Sequence, residues 1–539
     1  MQGNRSGNEN RRNEAISAVV NGRVWTGDPW RPWAEAVAIE GDRILAVGTT
    51  AEVRSIARGG RELDAGGALV APGFIDAHLH MIAGGFRLGW IALGDASSRD
   101  ALHDRLRGFV ATRPRGTWIL GGDWDHERWG GTPPSREWID TASPNHPVWI
   151  TRVDSHMALA NSRALTLAGI TRDTPNVAGG DIVRDDRGEP TGLLKDNAMR
   201  LVERVVPSPT ADDEDAALSA AMRLLASNGI TSAHHLGALP PSGSWHELQI
   251  FRRAHERRAL TTRLYVTVPL ETWPRLRDLI AAGDLGGDDG RGDDWLRVGA
   301  LKSFIDGSLG ARTAAFHRPY DDVPGCGLFM DTVEHWREWM VDADRACLQL
   351  ITHAIGDRAN TTLLDLYDTV IAANGPRDRR LRVEHAQHLR PDDIPRLAAI
   401  GAIASMQPQH AIDDGRWLER AIGHTRARTS YAWRSLRTAG TRLAFGSDWF
   451  VAPPVPLAGI HAATSGWRPD QHVTLDDALR GYTVEAAHAS FEDTKKGRLS
   501  EGLLADIVVL SRDLFEKGAL IQEAEVNATI VGGELIFAR

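Results

Sequence analysis

Between residues 73 and 450, short apolar runs recur near 73–80, 229–236, 262–269, 297–305, 347–353, 381–387, 401–407 and 441–448. Each is short for a helix and reads as a buried-type strand. That pattern marks a strand covered on both faces, as in a parallel sheet. Stretches of helical period lie between most of them, Ala216–Ser227 and Val333–Arg345 among them. Alternating β and α segments predict an α/β protein, and eight such strands suit a (β/α)8 TIM barrel over 72–489. The region 85–200 breaks the alternation and is rich in Trp, Gly and Pro. It reads as an insertion after the first strand, expected as a cap over the barrel mouth, with a solvent-side decoration as the alternative. Without it roughly 260 residues remain, near the roughly 250 typical of this barrel.

The two ends have another texture. Ser17–Val20, Ala36–Glu40 and Arg43–Val47 are strand-like, with Gly41-Asp42 as a turn. Asp506–Leu510 and Asn527–Val531 are β-rich, and Gly532-Gly533 predicts a hairpin turn before Glu534–Phe537. The ends are therefore expected to meet, 16–71 with 490–539, as one small β-sandwich domain. Residues 1–15 are polar and read as a disordered arm with no secretory h-region.

Composition narrows the function. An apolar fraction of 42% and a charged fraction of 25% are ordinary for a globular chain. The net charge of -9 comes without a basic stripe, which argues against nucleic acid. No apolar run approaches the roughly 20 residues of a membrane span. The two cysteines, Cys326 and Cys347, have neither metal nor redox spacing and fit a reducing, cytoplasmic setting. The expected partner is a small-molecule substrate, with no nucleic acid and no membrane, and a homodimer is the base-rate assembly.

Chemistry concentrates at the ends of the apolar runs. In Pro72-Gly73-Phe74-Ile75-Asp76-Ala77-His78-Leu79-His80, the period of two puts His78 and His80 on one face. Their Cα atoms are roughly 7 Å apart on a strand, so both imidazoles can reach one ion. Neutral imidazole suits zinc and other first-row metals. Lys302, His353, His385 and Asp448 end four further runs. Any one of them is ordinarily a satisfied core residue. All six together, at one rim, describe a shared metal site, because barrel active sites are assembled from different strand ends.

These motifs carry a resemblance. PGFIDAHLH at 72–80, KSFIDGSLGARTAAF at 302–316, THAIGDRAN at 352–360, VEHAQHL at 383–389 and FGSDWF at 445–450 resemble the amidohydrolase superfamily, amidohydrolase-3 branch, which includes N-substituted formamide deformylases. RVDSHMALANSRAL at 152–165 and GGDIVRDDRGEPTGLL at 179–194 extend the likeness. The resemblance implies that His78, His80 and Asp448 hold one metal and that His353 and His385 hold a second. Lys302 stands where relatives carry a lysine carboxylated on its ε-nitrogen, bridging both ions. A plain ammonium beside a single metal is the alternative. The expected cofactor is a divalent metal, Zn2+ first, as one or two ions.

The chemistry then expected is hydrolysis of an amide or N-formyl/N-acyl type C–N bond of a small molecule. The metal activates water and polarises the carbonyl. Asp448 takes a proton from the water and returns it to the leaving nitrogen. A mononuclear deaminase and a cyclic amide, carbamate or ester hydrolase are the alternatives; Ala354-Ile355-Gly356-Asp357 after His353 counts against the deaminase. A scaffolding protein on an inactive barrel would have lost ligands, and metal content separates it. Trp124, Asp154 and His156 in the insertion, and Arg312 after the fourth strand, are candidate substrate contacts. A core tryptophan, a local hydrogen-bonded pair and a structural ion pair are the respective alternatives. His234, His235, Gln407 and His410 are candidates to support the ligands.

Overall fold

The computed structural model describes residues 14–57, 61–153, 157–177, 180–237 and 243–539. Residues 1–13 of the expected arm, and Asp154 and His156, lie outside the described residues.

Eight strands line up in chain order, all parallel. They are β1 (Phe74–Leu79), β2 (Ile230–His235), β3 (Arg263–Pro269), β4 (Leu296–Phe304), β5 (Gln349–Ala354), β6 (Arg382–His385), β7 (Ile403–Met406) and β8 (Arg442–Phe445). Every residue of β1, β2, β5, β6 and β7 is buried, which explains the apolar runs. Just beyond β8 the chain returns to β1. Asp448 N–H donates to His78 O at 2.6 Å, His80 N–H donates to Trp449 O at 2.6 Å, and Leu79 pairs with Trp449 in parallel. The two edge strands are thus brought together in a near-barrel α/β fold.

The covering helices are amphipathic and capped. Val333–Arg345 starts at Thr332, whose hydroxyl accepts from His335 N–H, and buries Trp336, Met340 and Ala343 along one stripe. Asp357–Asn374 buries Ala359, Leu363, Leu366 and Val370 at the same spacing.

Strands from both termini pair with one another. Leu69–Pro72 lies antiparallel to Ile507–Leu510, and Glu14–Val20 lies antiparallel to Glu534–Ala538. Val19, Val37, Ile39, Val70, Ile507, Val509 and Ile530 share one apolar core. Arg263 on β3 reaches this assembly through a buried two-point pair with Asp506, with nitrogen–oxygen distances of 2.8 and 3.0 Å.

Residues Met81–Ala221 form a second compact unit. Its six-stranded sheet mixes parallel and antiparallel pairs and has a separate apolar cluster on each side. Asn161 caps the helix Ser162–Ala168 by accepting from Ala164 N–H, and Gly169 ends it in the left-handed conformation that glycine adopts without cost. Among the described residues no helix is long and apolar enough to cross a membrane.

Candidate metal centre

The six residues singled out at the strand ends gather at one end of the parallel sheet. His78 and His385 have ring centroids 4.9 Å apart, His353 and His385 4.5 Å, and His78 and His80 5.6 Å. His78 Nε2 and His80 Nε2 stand 3.2 and 3.1 Å from the same oxygen, Asp448 Oδ1. The ligand atoms of His78, His80 and Asp448 all lie within 4.8 Å of one another.

Local sequence explains the convergence. Asp76 Oδ1 accepts from the backbone N–H of both His78 and Ser447, each at 3.0 Å, and so ties the end of β1 to the turn after β8. Gly446 makes that approach feasible, because a Cβ there would stand 2.5 Å from His78 N and 2.7 Å from Asp76 Oδ1. Asp448 and His385 have φ of 57° and 74°. Non-glycine residues pay about 1–3 kcal/mol for such a conformation and hold it where the surroundings impose it, typically at functional sites.

Hydrogen bonds set the imidazole tautomers. Glu384 Oε2 is 2.6 Å from His78 Nδ1, so Nδ1–H donates to it. Glu384 is itself clamped by Arg382 at 2.9 and 3.1 Å, and Arg382 also meets His234 Nδ1 at 3.0 Å. His385 Nδ1–H donates to Gln407 Oε1 at 2.7 Å. His353 Nε2–H donates to Gly307 O at 3.0 Å. His235 Nε2 bonds Glu247 at 3.0 Å. His234 and Gln407 therefore support the centre indirectly, whereas Glu384, Arg382 and Asp76 are contributors that single-sequence reading passed over.

Charge is distributed accordingly. Burial opposes ionisation of Asp448, yet the His78 imidazole and hydrogen bonds from His78 and His80 hold its carboxyl well below the usual range. Burial raises Glu384 too, and Arg382 and His78 more than reverse it. Burial pushes His353 down to about 3 and His385 well below the ordinary imidazole value. The Lys302 ammonium is pushed down to about 8 by burial. Lys302 Nζ is buried and has no hydrogen-bond partner.

These features fit a divalent cation. His78 Nε2 and His80 Nε2 converge on one ionised carboxylate oxygen at 3.2 and 3.1 Å, so the cluster calls for positive charge at that point, which a cation would supply in place of a proton. Two imidazoles and a carboxylate are the donors of catalytic zinc-type sites.

The candidate substrate contacts fare differently. Trp124 is fully buried in the core of the inserted unit, donating Nε1–H to Ile150 O at 3.0 Å and stacking with Trp129. There it packs in an apolar cluster with Leu102, Leu106 and Ile150. Arg312 spends its guanidinium on Asp322, Nε to Oδ1 at 3.1 Å, above the Trp417 ring. That is the structural ion pair weighed as its alternative.

An eight-stranded parallel sheet with this cluster at its rim defines a metal-dependent hydrolase of the amidohydrolase type. Comparison with known families agrees: the chain belongs to the Amidohydrolase family, whose model matches residues 61–537. It is 39% identical over 536 residues to the protein LONG AFTER FAR-RED 3 of Arabidopsis thaliana, covering 96% of this chain and 91% of that protein. The N-substituted formamide deformylase of Arthrobacter pascens is 28% identical, covering 97% of this chain and 98% of the relative. Among solved structures, an uncharacterized metal-dependent hydrolase from Pyrococcus horikoshii OT3 superposes with a TM-score of 0.75 at 26% identity, covering 92% of this chain and 97% of that one.

Proposed function

We propose that this protein hydrolyses a non-peptide C–N bond, of amide or N-formyl/N-acyl type, in a small molecule. His78, His80 and Asp448 would hold one divalent ion, with zinc the expected metal. His353 and His385 would hold a second, with Lys302 between them as a carbamate. The carrying observation is the approach of two imidazole nitrogens to a single Asp448 oxygen, at 3.2 and 3.1 Å, in a buried site.

When bound, a divalent ion lowers the pKa of water toward neutrality and polarises a carbonyl. The remaining work falls to the chain. Asp448 takes the proton of the attacking water and returns it to the leaving nitrogen, without which an amide nitrogen is too basic to depart. Glu384 keeps the His78 proton on Nδ1 and Arg382 keeps Glu384 ionised and in place. The orphaned Nζ of Lys302 supports the carbamate reading, since an unpartnered buried ammonium costs several kcal/mol. Addition of neutral Nζ to carbon dioxide forms one N–C bond and releases one proton, converting a misfit cation into an anionic oxygen donor.

The layout proposed with this activity is a (β/α)8 barrel built on β1–β8, with the paired terminal strands as its β-sandwich. A cytoplasmic setting is supported by Cys326 and Cys347 standing as free thiols. The reading is tested by assaying N-formyl, N-acyl, lactam, carbamate and ester compounds with added zinc or manganese. Turnover of an N-formyl or N-acyl amide is expected. Release of ammonia from exocyclic amines alone, or ester cleavage alone, would overturn the assignment.

A further inference from the structure

His410 was not among the expected ligands, yet its side chain faces the centre. It follows β7 through Gln407 and Pro408, where proline at the first helical position starts the short helix Pro408–Asp414. This turn swings the imidazole back toward the strand ends. Its ring lies nearly parallel to that of His385, with centroids 6.5 Å apart and an interplanar angle of 15°. His410 Nε2 is buried and has no hydrogen-bond partner. The ligand atoms of His385, His410 and Asp448 all lie within 4.8 Å of one another. A buried ring nitrogen without a partner is costly, and a ring nitrogen of His410 stands within 4.8 Å of an Asp448 oxygen and of a ring nitrogen of His385, whose Nδ1 is committed to Gln407.

We infer that His410 is a further ligand of the second cation, joining His385 and Asp448 beside the His353 and Lys302 named above. The inference rests on the metal-dependent reading above and deepens it. Two imidazole pairs then flank one carboxylate: His78 and His80 on one side, His385 and His410 on the other. A carboxylate has two oxygens and about four lone-pair sites, so it can serve both ions. On this assignment Asp448 is shared by both ions, and His410 sits on the helix after β7, outside the motifs from which the ligand set is predicted.

The test is metal binding by the full-length protein, measured by equilibrium dialysis against Co2+ and by the visible absorption of the bound cobalt. Wild type is expected to bind two ions per chain. His410→Ala should keep one ion and the native far-ultraviolet circular dichroism, weaken the second ion at least about tenfold, and alter the cobalt spectrum. His410→Gln serves as a second variant should the alanine form fail to fold, with the same expectation. Two ions bound with wild-type affinity and an unchanged spectrum in either variant would overturn the assignment, even if KM for a substrate rose, and would leave the hydrolase reading standing. One ion in wild type would also overturn it. No bound metal in wild type would instead sink the metal-dependent reading itself.

Discussion

Glu384 Oε2 lies 2.6 Å from His78 Nδ1, with both side chains almost wholly removed from solvent. Arg382, also buried, grips the same carboxylate at 2.9 and 3.1 Å. Partners of this kind fix the ring orientation of a metal-binding histidine and raise its basicity. Glu384→Gln should therefore weaken metal binding by about 10–100-fold, read by dialysis, while the fold persists. Glu384→Ala should in addition lower stability by roughly 3–5 kcal/mol in denaturant melts, because Arg382 is left as an uncompensated buried charge. Wild-type metal affinity in both variants would remove the pair from the centre.

Asp448 is asked to carry protons as well as to hold an ion. Asparagine keeps one oxygen for coordination and the side-chain shape but removes the base. Asp448→Asn should retain most of its metal and lose at least about a hundredfold in turnover, the low end for general acid–base work. Near-normal turnover in a metal-loaded Asp448→Asn would show that the proton travels by another group.

A second, half-buried carboxylate makes stability depend on pH. Asp414 accepts from Tyr431 Oη–H at 2.6 Å and from Gln387 Nε2–H at 2.7 Å. Burial raises its carboxyl to about 7, with neighbouring Asp413 adding to the rise and the Tyr431 hydrogen bond opposing it. The unfolded value is about 3.9. Between these values the folded state holds the proton more tightly, so stability falls as pH rises. The contribution is full below about pH 4 and is lost by the time pH passes about 7. Asp414→Asn preserves an acceptor oxygen and cannot titrate. Relative to wild type it should gain on the order of a few kcal/mol as pH climbs from about 4 to 8, measured by urea unfolding at each pH. Parallel pH profiles for the two proteins would refute the shift.

Strands were the most legible part of the fold, for a physical reason. β1, β5 and β6 are buried along their whole length, and His78, His353 and His385 stand at or one residue from their C-terminal ends. The candidate ligands stood out because each closes such a run. What supports them did not, because its signals are relational. Glu384 acquires meaning only from His78, 306 positions away, and Asp76 only from Ser447, 371 away. Trp124 could be read either as a pocket wall or as a core residue, and it lies on a strand whose neighbours pack directly on its backbone. Gly121 and Gly122 have backbone of the adjoining strands within 3.0 Å of any added Cβ.

The joint between β3 and the terminal strands offers a last test. Arg263 and Asp506 form a two-point pair, 1% and 5% exposed, and Asp506 Oδ1 also accepts from Gly532 N–H at 2.9 Å. Arg263 further donates to Asp294 O at 2.9 Å and lies over the Trp295 ring. Deleting one partner strands the other charge away from water. Asp506→Ala should cost roughly 3–5 kcal/mol of unfolding free energy. Replacing both, as Arg263→Met with Asp506→Ala, removes the stranded charge along with the pair. The double variant should be more stable than Asp506→Ala alone, giving a coupling energy of at least about 1 kcal/mol in a double-mutant cycle. Additive losses would mean that Arg263 is satisfied by Asp294 O and Trp295 without Asp506, and that the terminal strands are held to β3 by apolar packing instead.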